Sequence, residues 1–295
     1  MKYKLLIMIL LLRSSYSSAQ QPSPLLECTF SAGYKVADIR WSIGANPSPN
    51  ILSEVKWQSL TGPSTDAQVQ LKLSGRWHIR ATLSKCFIKA GKATDIDYAE
   101  DDRRSAVYQA ILDSDEGHLA ALGLYGGYHM LQREKVLLNV FAGYTIQTAS
   151  LFLLDHASYQ PGLKNLRSTY NTSWKGVSGG LSAHYCLNPR WRLTGTFEYS
   201  QLHYHAIADW NMVDAYQHPV SFKHQAKGFA MSTALYTTFQ VSTHVSFLLS
   251  ATYHVAETGT GTDKLFLESG TVHTSRFNGA YTAAKQVSAG TVIRF

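Results

Sequence analysis

Two stretches of the chain concentrate residue types that activate water or hold cations. KATDIDYAEDDRR, residues 92–104, sets Asp95 and Asp97 two residues apart, adds Glu100, Asp101 and Asp102, and turns basic at Arg103 and Arg104. FEYSQLHYHAIADWNMVDAYQHPVSFKH, residues 197–224, carries Asp209 together with His203, His205, His218 and His224. Paired carboxylates can polarise a water and take its proton. A denser set of oxygen donors can bind a hard cation. The same composition also describes a solvated acidic loop, and the choice depends on what carries these residues. DSDEG, residues 113–117, lacks the full ligand spacing of a calcium loop and reads as a turn. The histidines include no tight pair on one helix, although His203 and His205 share a strand face.

The carrier is an exported chain. MKYKLLIMILLLRSSYSSAQ has a basic start at Lys2 and Lys4, an apolar run from Leu5 to Leu12, and small residues before a cleavage site after Ala19. That is the pattern of a secretory signal peptide over residues 1–19, leaving a mature chain of residues 20–295. Removing Lys2, Lys4 and Arg13 takes the formal charge from +7 to +4. So small and scattered an excess argues against nucleic acid as a partner. Beyond the leader there is no apolar run of the ~20 residues that a membrane helix needs. Cys28, Cys86 and Cys186 are odd in number and irregularly spaced, so no disulfide framework is implied.

Strand-period alternation runs through the mature chain. In VSFLLSATYHV, Val245, Phe247, Leu249, Ala251, Tyr253 and Val255 point one way, while Ser246, Leu248, Ser250, Thr252 and His254 point the other. VLLNVFAGYTI and GVSGGLSAHYCL repeat the pattern. Short turns near 75–77, 131–135, 188–191 and 240–244 take turns with longer segments at 45–50, 96–116, 155–172, 212–222 and 262–275. Short connections at one end and long ones at the other mark a membrane barrel. The spans 27–44, 51–75, 77–95, 117–131, 135–154, 170–187, 191–211, 222–240, 245–261 and 276–295 make ten strands. The expected fold is all-β: a ten-stranded antiparallel transmembrane β-barrel with short periplasmic turns and long extracellular loops. Tyr34, Trp41, Trp77, Tyr128, Tyr144, Trp174, Tyr185, Trp191 and Tyr253 lie near strand ends, where an interfacial girdle would sit. The chain closes on VSAGTVIRF, an alternating strand ending in Phe295.

NILSEVKWQSL, DIDY, the FEYS…ADWN strand end and the closing SAGTVIRF together resemble the omptin family of outer-membrane proteases over almost the whole mature chain. GYKVADIRWSIGANPSPNILSEVKW, DIDYAEDDR, ADWN and HPVSFKH are most similar to the Protochlamydia-type outer membrane protein branch of that fold. The omptin resemblance implies a water held between an Asp pair and an Asp-His pair. Asp95 and Asp97 match the first pair and Asp209 matches the Asp of the second. Asn211 stands where the family motif has His. An amide cannot accept a proton at neutral pH, so the general base, usually worth about 10² to 10⁴ in rate, is missing.

The reading that follows is an outer-membrane barrel, not catalytic, with interaction loops at the bacterial cell surface. The alternative is an omptin-type endopeptidase using Asp95, Asp97 and Asp209, with His205, His218 or His224 as a displaced base. No cofactor and no metal is implied. The expected partners are outer-membrane lipid, with lipopolysaccharide the candidate, and an extracellular protein or peptide. A barrel of ten strands leaves its interior mostly filled, which ranks free diffusion low.

Overall fold

The computed structural model describes residues 25–45, 47–157, 165–211 and 213–295. The expected leader, residues 1–19, lies outside them. The described chain forms one closed antiparallel sheet whose strands are β1 (Leu26–Gly44), β2 (Ser53–Lys72), β3 (Trp77–Phe87), β4 (Ala90–Glu100), β5 (Arg104–Asp113), β6 (Gly117–Gln132), β7 (Val136–Leu154), β8 (Arg167–Cys186), β9 (Trp191–Asp209), β10 (Phe222–Gln240), β11 (Val245–Phe266) and β12 (Val272–Arg294). β3 and β4 are two halves of one staggered strand, as are β5 and β6, so twelve segments make a ring of ten. The ring closes between β1 and β12, from Glu27 opposite Arg294 up to Gly44 opposite Arg276. At the second break Gly117 has φ +107°, and a Cβ there would lie 2.1 Å from the Ser150 carbonyl oxygen, so glycine is required.

Period-two alternation decides what each wall presents. Phe30, Tyr34, Leu83, Leu124, Val177, Phe197, Leu235 and Leu249 are exposed on the outside, forming an apolar band between the tight turns and roughly the level of Phe87, Tyr199 and Tyr253. The intervening residues face inward. In the half of the barrel nearest the turns they are polar and interlocked. Tyr125 Oη donates to Glu198 at 3.1 Å, Asn139 Nδ2 donates to Ser182 at 3.3 Å, and Gln286 donates to Asp66 and Ser288.

Above the band the interior becomes an apolar plug. Trp41, Trp57, Leu60, Tyr170, Trp174, Tyr204, Phe222 and Phe277 are buried there, with Trp57 stacked on Tyr170 at 5.3 Å and Tyr204 on Phe277 at 5.7 Å. This corrects the girdle expected from the sequence. Tyr34, Trp77, Tyr144, Tyr185, Trp191 and Tyr253 are exposed on the outside, but Trp41 and Trp174 point into the plug. Their strand parity puts them inside, and a wide lumen above the membrane band must be filled by large rings.

The four tight turns fall where alternation broke in the sequence, but two of the long segments are not loops. Residues 96–116 continue as strand to Glu100, turn tightly, and return as β5. Residues 262–275 are mostly the top of the β11–β12 ladder, paired from Thr262 opposite Arg276 to Phe266 opposite Val272. Polar composition was the reason for reading loops. Above the apolar band a strand no longer needs an apolar outer face, so its alternation fades while its ladder persists.

Candidate functional site

The carboxylates of residues 92–104 separate by strand face. Asp95 and Asp97 share the inner face of β4, next to Val55 and Ser53 of β2 and Ala110 and Tyr108 of β5. Glu100, Asp101 and Asp102 lie at the turn and bind locally. Asp101 accepts from the Asn50 amide and from Ser48 Oγ at 3.2 Å, Asn50 Nδ2 donates to Asp102 at 2.9 Å, and Ser105 donates to Glu100 at 2.8 Å. These groups latch the β4–β5 hairpin to the β1–β2 loop.

A second latch involves Glu54, which was not singled out in the sequence. Its buried carboxylate accepts from Lys56 at 2.7 Å, from Tyr98 at 2.9 Å and from Arg103 Nε and Nη2 at 3.1 Å each. Burial works against its charge, but the bonds from Arg103, Lys56 and Tyr98 outweigh burial and hold the carboxyl below its ordinary value. Among the described residues no group of three or more His, Cys, Asp or Glu side chains is arranged to hold a metal ion.

Asp95 and Asp97 experience the opposite balance. Asp95 is 7% exposed, and burial, with Asp97 adding like charge, pushes its carboxyl up to about 7. Burial also raises Asp97, opposed by a hydrogen bond from Ser53. Asp95 can therefore hold a proton near neutral pH while its neighbour stays able to ionise. Tyr108 and Tyr216 border it, their phenols raised first by burial and then by both carboxylates.

Across the lumen, the residue that meets Asp95 is Trp210, whose indole Nε1 donates to Asp95 Oδ2 at 3.4 Å. Asp209 falls on the other parity of β9, opposite Thr169, and its Oδ1 lies 2.6 Å from His218 Nδ1 at the rim. Asn211 turns to β8. Its Oδ1 accepts from the Arg167 amide at 2.9 Å and from Ser168 Oγ at 3.2 Å, while its Nδ2 donates to the Asn165 carbonyl at 2.9 Å. Asp95 and Asp97 are thus brought together, and Asp209 and Asn211 sit apart from them.

The other histidines disperse. His203 and His205 face outward on β9. His224 is fully buried in the plug, where Nδ1 lies 2.8 Å from Tyr170 Oη and Nε2 lies 3.2 Å from Asp263 Oδ1. Burial depresses its imidazole despite the Asp263 carboxylate. The DSDEG acids are also paired, Asp113 with Lys92, Asp115 with His156 and Glu116 with Arg167.

The model of the Protochlamydia outer membrane protein family matches residues 29–291. The chain belongs to that family. No curated protein matches it in sequence. Among solved structures, the outer membrane protease OmpT from Escherichia coli superposes with a TM-score of 0.76 at 14% identity, covering 96% of this chain and 100% of the protease. OprG of Pseudomonas aeruginosa aligns over 92% of this chain and 97% of its own at 8% identity, with a TM-score of only 0.41. At 14% identity the likeness to OmpT establishes the omptin-like barrel fold alone. This member of the Protochlamydia family is accordingly an outer-membrane β-barrel whose upper lumen holds an aspartate pair faced by an indole.

Proposed function

We propose that the barrel is not a protease and that its rim, displayed at the cell surface, serves interaction. The observation that carries this reading is that the group meeting Asp95 across the lumen is the Trp210 indole and not an imidazole. Indole nitrogen is a donor only and cannot take a proton from water. Asn211, which replaces the expected His, is engaged with the Arg167 amide at the start of β8 and with the Asn165 carbonyl before it. Outer-membrane lipid is the second proposed partner. Lys223 and Lys264 stand opposite each other on the outer wall above the apolar band, beside a groove of about 350 Å³ also lined by Gln225 and Thr262. Paired ammonium groups at that height suit anionic headgroups such as those of lipopolysaccharide.

The endopeptidase alternative draws on the Asp209–His218 pair, an aspartate-supported imidazole at 2.6 Å. Refolded barrel incubated with a diverse peptide mixture, with and without lipopolysaccharide, separates the two readings. The proposal expects no cleavage above that of Asp97→Asn. Cleavage lost in both Asp97→Asn and His218→Ala would establish the alternative.

A further inference from the structure

Among the described residues, β5 has no paired neighbour along most of one edge. β4 pairs with it from Glu100 opposite Arg104 down to Lys92 opposite Asp113, whereas on the other side the only described pairing is Asp113 with Leu154, where β7 ends. Residues 104–112 therefore present about 30 Å of backbone edge that no strand among the described residues pairs with, at about 3.3 Å per residue. At β12 the situation differs, because β1 stays paired with it to Gly44 opposite Arg276. Proteins usually blunt such edges with charge, proline or a bulge on the edge strand. From Tyr108 to Leu112 the sequence YQAIL has no charge, proline or bulge; the bulge of β5 lies just before it, at Val107, where Asp97 faces Tyr108 and Tyr98 faces Ala106, and Ser105 has φ +52°. Val107 and Ile111, 69% and 70% exposed, project outward from this edge, well beyond the apolar band.

We infer that β5 is a strand-addition site that takes an extended segment of another polypeptide, antiparallel to β5, with β-branched residues on its outward face and an acidic residue at its C-terminal end. Val107 and Ile111 set the first requirement, because β-branched cross-strand pairs stabilise a ladder and cover exposed apolar surface. Arg104 sets the second. Its Nε donates to the Asp101 carbonyl at 3.1 Å, no carboxylate is paired with it among the described residues, and an antiparallel strand would end beside it. A second copy of the barrel in the same membrane fits poorly. Antiparallel β5 pairing would invert one barrel, and parallel pairing, with strands tilted about 40° from the barrel axis, would splay the two axes by about 80°. The inference rests on the interaction reading only in supposing a polypeptide partner. It does not depend on the absence of cleavage.

The test is hydrogen exchange on the full-length refolded barrel in detergent, with a short synthetic peptide alternating Thr with Val or Ile and ending in Asp. The edge-facing β5 amides, those that do not donate to β4, should exchange rapidly in the barrel alone and become protected when peptide is added. Methylating two edge-facing peptide nitrogens should weaken binding on the order of tenfold through lost backbone bonds. Arg104→Glu should weaken it up to about fivefold, the scale of an exposed ion pair, and a peptide ending in Lys should reverse the preference. Three results would overturn the inference: no protection at millimolar peptide, equal binding of the methylated peptide, or edge-facing β5 amides already protected without peptide. In the last case, dependence on barrel concentration would identify a second copy as the cover, and independence would identify the chain itself. Cleavage is scored separately, so failure here leaves the non-catalytic reading standing.

Discussion

The two walls that the omptin resemblance brings together behave differently. On β4 the aspartates two residues apart lie mid-strand, both walls of their ladder are paired, and the inner face displays both. On β9 the matching residues come at and beyond the last ladder position, Asp209 opposite Thr169. There the outward parity of Asp209 carries it to His218, Trp210 takes the inward place, and Asn211 is drawn to β8. A motif keeps its geometry where hydrogen bonds on both sides hold the backbone that displays it. At a strand end, one step of parity decides which side chain faces the lumen.

The strongest way to break this comparison is to change what meets Asp95. Trp210→His would replace the indole with a shorter ring that leaves room for a water and can accept a proton. If the imidazole is the missing part, cleavage should rise by about 10² or more over the parent and vanish again with Asp97→Asn. Asn211→His should leave the barrel inert, since that side chain belongs to the β8 contact. Activity from Asn211→His but not from Trp210→His, measured on the same peptide mixture, would reverse the assignment of inward and outward positions.

A pH series sharpens the β4 side. The folded Asp95 carboxyl titrates near 7, against the ordinary carboxylate value in the unfolded chain. Between those values the native state holds a proton that the unfolded chain has released, so stability falls as pH rises through this window. A shift of about 3 units sets a ceiling of about 4 kcal/mol. Urea titrations in lipid vesicles at pH 5 and pH 8 should show the loss in the parent and a much smaller one in Asp95→Asn. A parent more stable at pH 8 than Asp95→Asn, relative to pH 5, would mean the pair is not buried as described.

Where the ladder is uninterrupted and flanked by lipid, parity should hold without exception. Leu249 is 58% exposed on the outside of β11. Leu249→Arg should cost about 2 to 4 kcal/mol near mid-membrane, and clearly more than Leu249→Ala. Equal tolerance of the two in the same urea titration would dissolve the membrane band on that wall.

What could be read from the residues follows the same division. Ten strands, the tight turns, the outward face of β11 and the common face of Asp95 and Asp97 all depend on period two, which is visible wherever one wall faces lipid. The β4–β5 hairpin was hidden because its outer face meets water, and the acids of KATDIDYAEDDRR and DSDEG resemble loop composition, although AVYQAIL between them alternates like a strand. The plug was hidden because Trp41 and Trp174 suit an interfacial girdle equally well until their parity is known. Glu54 and Trp210 were overlooked for a simpler reason: each sits beside a motif position, and only the fold shows that they are the ones in contact.

The smallest predicted effect concerns the β9 end itself. If Asn211 is a staple between β9 and β8 and not a remnant of chemistry, its deletion should register in stability and nowhere else. Asn211→Ala removes an acceptor for the Arg167 amide and a donor to the Asn165 carbonyl, both at 2.9 Å. The side chain is partly solvated, so water can replace part of each bond, and the net cost should be about 1 kcal/mol. Asn211→Asp keeps the acceptor and loses only the donor, so it should recover roughly half of that cost. Urea midpoints for the three proteins at one pH, together with exchange at the first amides of β8, would check the order. Unchanged exchange at Arg167 in Asn211→Ala would show that the β9 end is held by something other than this side chain, and Ser168 and Ser221, which also bond to residues 210 and 211, would be next to test.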